Sequence, residues 1–383
     1  MHILWLDAFH GGSHAAVSQG YARFSQHTVT LLTLSTAGGW RWRMRGAAIT
    51  FARELRRRAL PPIDLVVATD MLDLATFLGL TRDLTARAAV ALYMHENQLT
   101  YPLPPGRTRD LAFPWVNYTS ALAADALFFN SAFHRNAFLA ALPGLPGRYH
   151  DHQELDLIET IAARSCVLPP GIDLTRLDPP RAAAPLPPRS SSMPVILWNS
   201  RWEYDKAPEI FFAALDELER RGIDFRVIVI GEHIDPRHPA FLSARERLAT
   251  RALAWGYVPD LETYRRLLHQ ADIIVSTAIQ EFFGIAVVEA MYCGCIPLLP
   301  HRLSYPEILP AQYHEWCLYD SPEQLSDRLC AMIPTPAERW ADGLRAVAAQ
   351  YDWSQMAARY DAAFSQVVTG RACGTIPGAT GTS

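Results

Sequence analysis

The chain runs to 383 residues, more than one ordinary domain holds, so two domains are the first expectation. Half of the residues are hydrophobic and 19% are charged, enough to bury sizeable cores. The formal net charge of −4 and a pI near 6.4 exclude a globally basic nucleic-acid binder, while leaving room for a local basic patch.

The opening Met1-His-Ile-Leu-Trp-Leu-Asp7 lacks a basic leader region and a long apolar core, so it reads as a first β-strand and not as a signal peptide. From there short apolar runs alternate with helical stretches. Strands are expected over Ile3–Leu6, Thr28–Leu32, Leu65–Ala68, Ala89–Tyr93, Ala126–Phe129 and Cys166–Leu168. Helices are expected over His14–Phe24, Ala47–Ala59, Leu72–Leu80, Val116–Ala123 and Ala132–Leu142. This alternation predicts a parallel, doubly wound α/β sheet. Residues 179–194 are rich in Pro, Ala and Ser and read as a linker. The pattern then restarts, with strands over Val195–Asn199, Phe225–Ile230, Arg251–Gly256, Ile273–Ser276 and Ile296–Leu299. The helices between them fall over Glu209–Arg221, Leu261–His269, Gly284–Cys293 and Pro322–Cys330. The expected division is therefore a first domain over 1–178, the linker over 179–194, and a second domain over 195–350. A helix over 351–370 would pack back on the first domain, and a Gly/Thr-rich tail over 371–383 would be disordered. A crevice between the two halves is the natural ligand site. The six cysteines show no zinc-site spacing and are expected to be reduced. With no stretch of membrane-spanning length, a cytoplasmic protein without a membrane anchor is expected.

The chemistry concentrates in the second half. Gln280-Glu-Phe-Phe-Gly-Ile-Ala-Val-Val-Glu289 follows an apolar strand, so Glu281 falls in the loop at a strand's carboxyl end. Phe283-Gly284-Ile285 opens a helix, and Glu289 follows about two turns later on the same side. Open α/β sheets bind ligands at such strand ends, and a helix start offers N–H groups to a phosphate. Two acids around an anion site suit a ligand with hydroxyls on both sides of a phosphate, which describes a nucleotide-sugar. Strand Val195–Asn199 runs into Ser200-Arg-Trp-Glu-Tyr-Asp-Lys206, which places Arg201 and Lys206 where a diphosphate would sit. Lys206 is the only lysine of the chain, which hints at a site wanting a compact ammonium and not a planar fork. Solvated surface ion pairs are the bland alternative for both cations. Gly231 ends another strand, either admitting a ligand or merely turning the chain. Tyr257 and Val258 follow a further strand and could line a base pocket.

In the first half, Gly11-Gly12 after strand one would let a backbone approach a donor phosphate or an acceptor, with His14 starting the helix. His95-Glu96-Asn97-Gln98 ends another strand and is too polar for a core. Asn130-Ser131 begins the next helix, where N-capping by Ser131 competes with ligand contact. Trp40-Arg41-Trp42-Arg43-Met44-Arg45 continues into Arg53-Glu54-Leu55-Arg56-Arg57-Arg58, an arginine-rich stretch with two tryptophans and one acid. Such a patch can grip phosphates and stack on unpaired bases, or it can be the solvated face of a helix.

Arg201, Lys206, the Glu281…Glu289 motif and Cys293-Gly-Cys-Ile-Pro297 together resemble the retaining family 4 glycosyltransferases of the GT-B fold, two Rossmann-like domains facing a crevice. The segments Phe9-His-Gly-Gly-Ser-His14, Trp40-Arg-Trp-Arg43, His95-Glu-Asn-Gln98 and Phe129-Asn-Ser131 look like the tRNA-queuosine α-mannosyltransferase group. The resemblance implies GDP-mannose as donor and the cyclopentenediol of queuosine in tRNA, that of the tRNA-Asp anticodon, as acceptor, with no metal and no other cofactor. It implies that Glu281 holds sugar hydroxyls, Glu289 the ribose, and Arg201 and Lys206 the diphosphate, with His95 positioning sugar and acceptor. The remaining donor contacts would be Gly11, Gly12, Gly231, Tyr257, Val258, Phe283, Gly284 and Ile285. The acceptor tRNA would meet His14, Trp40, Arg41, Trp42, Arg43, Arg45, Glu96, Asn97, Asn130 and Ser131. Two other readings stay open: the same enzyme class with a lipid, polysaccharide or small-molecule acceptor, and a non-catalytic RNA-binding protein on the same fold.

Overall fold

The computed structural model describes residues 1–104, 106–179, 193–232, 238–333 and 343–370. The chain separates into two compact units: one takes residues 1–173 and the segment from Trp353 onward, the other Leu174–Asp352. The first unit thus ends at Asp173 and not at residue 178. The turn Thr175–Leu177 goes with the second unit, where the Leu174 amide donates to Asp352 Oδ2 at 2.9 Å. Residues 180–192 of the expected linker over 179–194, and the expected tail from residue 371, lie outside the described residues.

The first unit is built from β1 (His2–His10), α1 (Gly12–Phe24), β2 (Thr28–Ser35), α2 (Trp40–Leu55), β3 (Leu65–Thr69) and α3 (Leu74–Thr85). It continues with β4 (Ala89–Met94), α4 (Ala112–Ala123), β5 (Ala126–Phe129), α5 (Ala132–Ala141), α6 (Leu157–Ala163) and β6 (Ser165–Val167). The strands form one parallel sheet in the order β2-β1-β3-β4-β5-β6. Both faces of β1 are buried, as in a sheet covered by helices on each side. Leu4, Leu6 and Ala8 point into one core with α2, α3 and α4. Ile3 and Trp5 point into the other, which contains Val17 and Tyr21 of α1.

That second core is closed by the helix Trp353–Val368, whose Trp353, Met356, Tyr360 and Phe364 are fully buried. Burial of each such side chain is worth about 1.5–3 kcal/mol. Asp361 ties the helix to the end of α1 by accepting from Tyr21 Oη at 2.9 Å and Ser25 Oγ at 2.6 Å. Its start is fixed by the Trp353 amide, which donates to the Ile172 carbonyl at 3.0 Å.

The second unit comprises β7 (Val195–Asn199), α7 (Pro208–Arg220), β8 (Arg226–Ile230), α8 (Pro239–Arg247), β9 (Ala252–Gly256), α9 (Leu261–Gln270) and β10 (Ile273–Val275). After these come α10 (Ile285–Tyr292), β11 (Ile296–Pro300), α11 (Tyr305–Ile308), α12 (His314–Cys317), β12 (Leu318–Tyr319), α13 (Pro322–Met332) and α14 (Leu344–Ala349). Its sheet order is β12-β11-β10-β7-β8-β9. Each sheet reverses its winding once, between β1 and β3 in the first unit and between β7 and β10 in the second. Loops leaving the carboxyl ends at such a reversal diverge and leave room for a ligand. Cys293, Cys295 and Cys317 are buried free thiols. Cys166 is instead disulfide-bonded, so the expectation of six reduced cysteines does not hold throughout.

Candidate active site

In the second unit the loops after β7 and β10 leave neighbouring strands at the point of reversal and are locked to each other. The Asp205 carbonyl accepts the amides of Ile279, at 2.9 Å, and Gln280, at 3.3 Å. Thr277 Oγ1 donates to the Lys206 carbonyl at 2.7 Å. Lys206 Nζ, nearly buried, lies 2.7 Å from the Gln280 carbonyl, 3.2 Å from Asp205 Oδ2 and 3.4 Å from Glu281 Oε2. Burial pulls this ammonium down, but Glu281 and Asp205 outweigh it and hold the group above the ordinary lysine range. The lysine is therefore charged and fixed. A compact ammonium can face all three oxygens at once, a role a planar guanidinium fork does not copy.

Arg201 lies in the same loop, half exposed, with Nη2 3.2 Å from Glu203 Oε2. Burial pushes the Glu203 carboxyl up. Gly231, at the end of β8 with φ 146°, stands directly under this loop: a Cβ there would lie 1.7 Å from the Ser200 carbonyl oxygen. The close approach that Gly231 permits is thus one by the chain's own loop. That accounts for a glycine expected to admit a ligand, and makes it the support of Arg201.

Gly284, at φ 110°, is the N-cap of α10, and no side chain caps the helix start. Phe283 is buried edge-on against Tyr351, ring centroids 5.1 Å apart, so its side chain belongs to the core and only its backbone borders the loop. Glu289 faces inward from α10. Its Oε1 accepts from Arg176 Nη2 at 2.5 Å and its Oε2 from Tyr264 Oη at 2.6 Å. Asn199, the last residue of β7, donates to Tyr264 Oη at 2.8 Å. Burial, then Glu289, drive the Tyr264 phenol well above its ordinary value, so it acts only as a donor to the carboxylate. Each carboxylate oxygen has room for a further donor, which leaves Glu289 able to accept two hydroxyls. Tyr257, beyond β9, is 63% exposed, and Val258 beside it is partly buried. Ile285 is also partly buried.

The first unit gathers a second polar cluster at its own reversal point. Asp7, at the end of β1 and fully buried, lies 2.7 Å from His10 Nδ1, accepts from Ser18 Oγ at 3.1 Å, and stands 3.8 Å from His14 Nδ1. The His14 ring stacks on His95, centroids 3.9 Å apart. Asp70, beyond β3, accepts the His95 amide on Oδ1 at 2.8 Å and so fixes the loop after β4. Burial and then Glu96 hold the Asp70 carboxyl well above the carboxylate range. The Asn130 amide donates to the His95 carbonyl at 3.0 Å, and Asn130 Oδ1 faces His134 Nδ1 at 2.7 Å. The amide orientation makes His134 Nδ1 the donor. Burial, with His14 and His134 nearby, holds His95 well below its ordinary pKa. Burial alone takes His134 down to about 3. Both rings are neutral at physiological pH. His95 Nε2 is buried and has no hydrogen-bond partner among the described residues.

Two expected acceptor contacts have structural duties. Asn97 is fully buried and closes a turn, its Oδ1 accepting the amides of Leu99 and Thr100 at 3.0 and 2.9 Å. Ser131 caps α5 by accepting the His134 amide at 3.1 Å. Glu96 is partly buried and accepts from Gln98 Nε2 at 2.8 Å. Gly11 packs on Thr36, while Gly12 is exposed at the first turn of α1.

The arginine-rich stretch is the helix α2, which begins at Trp40 and not at Ala47 and ends at Leu55, with Arg56, Arg57 and Arg58 in the turn that follows. Its charges divide. Arg45 pairs with Asp110, Arg56 with Asp83 and Arg58 with Glu54, whereas Arg41, Arg43, Arg53 and Arg57 have no acidic partner among the described residues. Arg43 instead donates to the Ser35 carbonyl through Nε at 3.0 Å and Nη2 at 2.8 Å. Arg41 lies over Trp40, whose ring packs on Phe113. The site residues that the sequence reading missed are Asp7, Asp70 and His134 in the first unit and Arg176, Asp205 and Tyr264 in the second.

Residues 2–172 match the family described as tRNA-queuosine alpha-mannosyltransferase N-terminal, and residues 187–341 match glycosyl transferases group 1. The tRNA-queuosine alpha-mannosyltransferase of Drosophila melanogaster is 32% identical over 332 residues, which is 86% of either chain. A GDP-mannose-dependent alpha-(1-6)-phosphatidylinositol dimannoside mannosyltransferase of Mycobacterium tuberculosis is 23% identical over 88% of this chain and 81% of its own. Among solved structures, the catalytic domain of starch synthase IV from Arabidopsis thaliana, bound to ADP and acarbose, superposes with a TM-score of 0.73. The match has 11% identity and covers 96% of this chain and 99% of that one. Sucrose-phosphate synthase from Thermosynechococcus elongatus gives 0.69 at 15% identity, covering 96% and 100%. These two likenesses establish the GT-B fold, and the identity to the Drosophila protein over most of both chains places this chain in the tRNA-queuosine α-mannosyltransferase family.

Proposed function

We propose that the protein transfers mannose, with retention, from GDP-mannose to the cyclopentenediol of queuosine in tRNA, the tRNA-Asp anticodon being the expected site. The observation that carries the reading is the chain's only lysine, buried and held by Gln280, Asp205 and Glu281 beside an uncapped helix start. Lys206, Arg201 and the α10 N-terminus neutralise the diphosphate as it leaves, with no metal required for that task. Glu289, oriented by Arg176 and Tyr264, accepts the two ribose hydroxyls. Glu281 accepts from the sugar.

The bond from the anomeric carbon to the phosphate oxygen breaks, and the acceptor oxygen bonds to that carbon on the same face. The acceptor's proton passes to the departing diphosphate, so no strong protein base is needed. His95 is kept neutral by burial, and its carbonyl, which accepts from Asn130, keeps a lone pair for positive charge at the sugar ring.

The test is incubation of labelled GDP-mannose with tRNA that carries or lacks queuosine, followed by nucleoside mass analysis and an EDTA control. Label is expected only in queuosine-containing tRNA, undiminished by EDTA, and lost in Glu281→Ala. Label in a lipid fraction with none in tRNA refutes the acceptor, and full transfer by Glu281→Ala refutes the donor-site assignment.

A further inference from the structure

Helix α2 carries an exposed aromatic surface that the transfer chemistry does not use. Trp42 is 62% exposed, and Ile49, two turns on along the same face, is 61% exposed. The ring is not free in solvent. It lies against its own helix over Gly46, where a Cβ would come within 2.8 Å of Trp42 Cζ2. Glycine inside a helix costs about 0.5–1 kcal/mol relative to alanine, and Gly46 is otherwise helical and buried. What the missing Cβ provides here is a close seat for the indole, most of whose surface stays exposed.

The surroundings favour an anion. Arg53, three turns on along the Trp42 face, and Arg41, the residue before Trp42 with its guanidinium over Trp40, are exposed and have no acidic partner among the described residues. The helix start carries no acid and no side-chain cap, and Gly39 before it is exposed. An exposed aromatic ring on a helix that also carries unneutralised arginines matches an unpaired nucleobase of a strand whose phosphates those arginines can reach.

We infer that Trp42, seated on Gly46, is a stacking platform for one unpaired base of the acceptor RNA, with Arg41 and Arg53 on backbone phosphates of the same strand. This deepens the queuosine-tRNA reading and rests on it. The platform grips single-stranded loop RNA by stacking, without reading the base's hydrogen-bonding edge. Its contribution is therefore to tRNA affinity and not to donor binding.

Three variants separate stacking from charge and from folding. Trp42→Ala is expected to raise the tRNA Kd and KM about 10-fold or more, with donor KM and the salt dependence of binding unchanged. Trp42→Phe keeps most of the affinity. Arg53→Ala is expected to weaken binding and lower the slope of log K against log salt by about 0.7. Gly46→Ala is the decisive case: helix propensity rises, so thermal stability is unchanged or higher, yet the indole is lifted and tRNA affinity falls.

Normal tRNA affinity in both Trp42→Ala and Gly46→Ala, in an enzyme that still mannosylates queuosine-tRNA, overturns the platform and leaves the functional reading intact. An enzyme that modifies no tRNA at all overturns that reading instead. Trp42-dependent binding to anionic phospholipid vesicles, with none to tRNA, assigns the face to a membrane and overturns the inference.

Discussion

Replacing Lys206 by Met keeps much of the stem's packing and removes only the ammonium. Three oxygens then lose their shared partner: the Gln280 carbonyl at 2.7 Å, Asp205 at 3.2 Å and Glu281 at 3.4 Å. Asp205 is almost fully buried while Glu281 is about a quarter exposed, so the penalty falls mainly on Asp205. Breaking a buried pair from one side costs about 3–5 kcal/mol, whereas removing both charges is near neutral. Lys206→Met is therefore expected to destabilise the second unit by about that amount in urea unfolding. Adding Asp205→Asn should restore much of the stability. Activity follows a different rule, because the double variant still lacks the cation for the leaving group, and its kcat/KM should stay down by about 100-fold or more. Lys206→Arg keeps the charge but should fare little better, because a planar fork does not copy the compact ammonium. The pH dependence has a fixed sign. The raised pKa means the ammonium's contribution is fully present below the unfolded lysine value, about 10.4. It is lost only as pH climbs through the higher folded value, so wild type and Lys206→Met should converge in strongly alkaline solution. Stability within about 1 kcal/mol of wild type at pH 7, with an unchanged donor KM, would refute the account of this site.

Gly231→Ala places a Cβ against the Ser200 carbonyl and strains a φ of 146°. It should lower the melting temperature and raise the donor KM together by displacing Arg201, and a variant that folds and binds nucleotide normally counts against that support. Tyr264→Phe strips Glu289 of one donor and Asn199 of its acceptor, a loss of about 1–3 kcal/mol. It should appear as a higher donor KM with kcat nearly unchanged, and a fall in kcat alone would contradict a ribose role for Glu289. His134, with a pKa of about 3, stays neutral when folded but charges when unfolded. Stability should fall as pH drops below about 6.5, losing about 2 kcal/mol by pH 5 from this group alone. His134→Gln should flatten that slope in acid-unfolding curves, and an unaltered slope argues against a buried neutral imidazole.

The central strands of both sheets were legible because they are buried on both faces and read as short continuous apolar runs, Leu65–Thr69 and Arg226–Ile230 among them. Short elements escaped. The two-residue strand β12 and the four-residue helices α11 and α12 are too brief for any period to register. The start of α2 was missed because Gly38 and Gly39 precede it and its first turn is all Trp and Arg. In the site, Lys206, Glu281, Glu289 and His95 stood out as polar residues at strand ends. What orients them did not, because those partners meet only through the fold. Arg176 and Glu289 are separated by 113 positions, and Asp70 and the His95 amide by 25. No local pattern joins such pairs, and an isolated buried Asp70 looks in sequence like any loop aspartate. Gly231 was recognised as special, but the Ser200 carbonyl packed against it was not, because sequence shows that a side chain is missing and not which atoms need the space.

The helix Trp353–Val368 completes the first unit's core, although 179 other residues, Leu174–Asp352, come between. The second unit is in effect an insertion into the first, entering and leaving at Ile172 and Trp353, which are hydrogen-bonded to each other. On the ribosome this inverts the usual order. The inserted unit is complete in sequence first, while the unit begun at Met1 waits on the order of ten to forty seconds of further synthesis for its last helix. Until then Trp5, Tyr21 and Phe128 lack the apolar cover that Phe364 and Tyr360 provide. A stop codon or frameshift just before Trp353 would spare every proposed donor-site residue, yet leave a nascent chain with an open hydrophobic face, a target for chaperones and proteases.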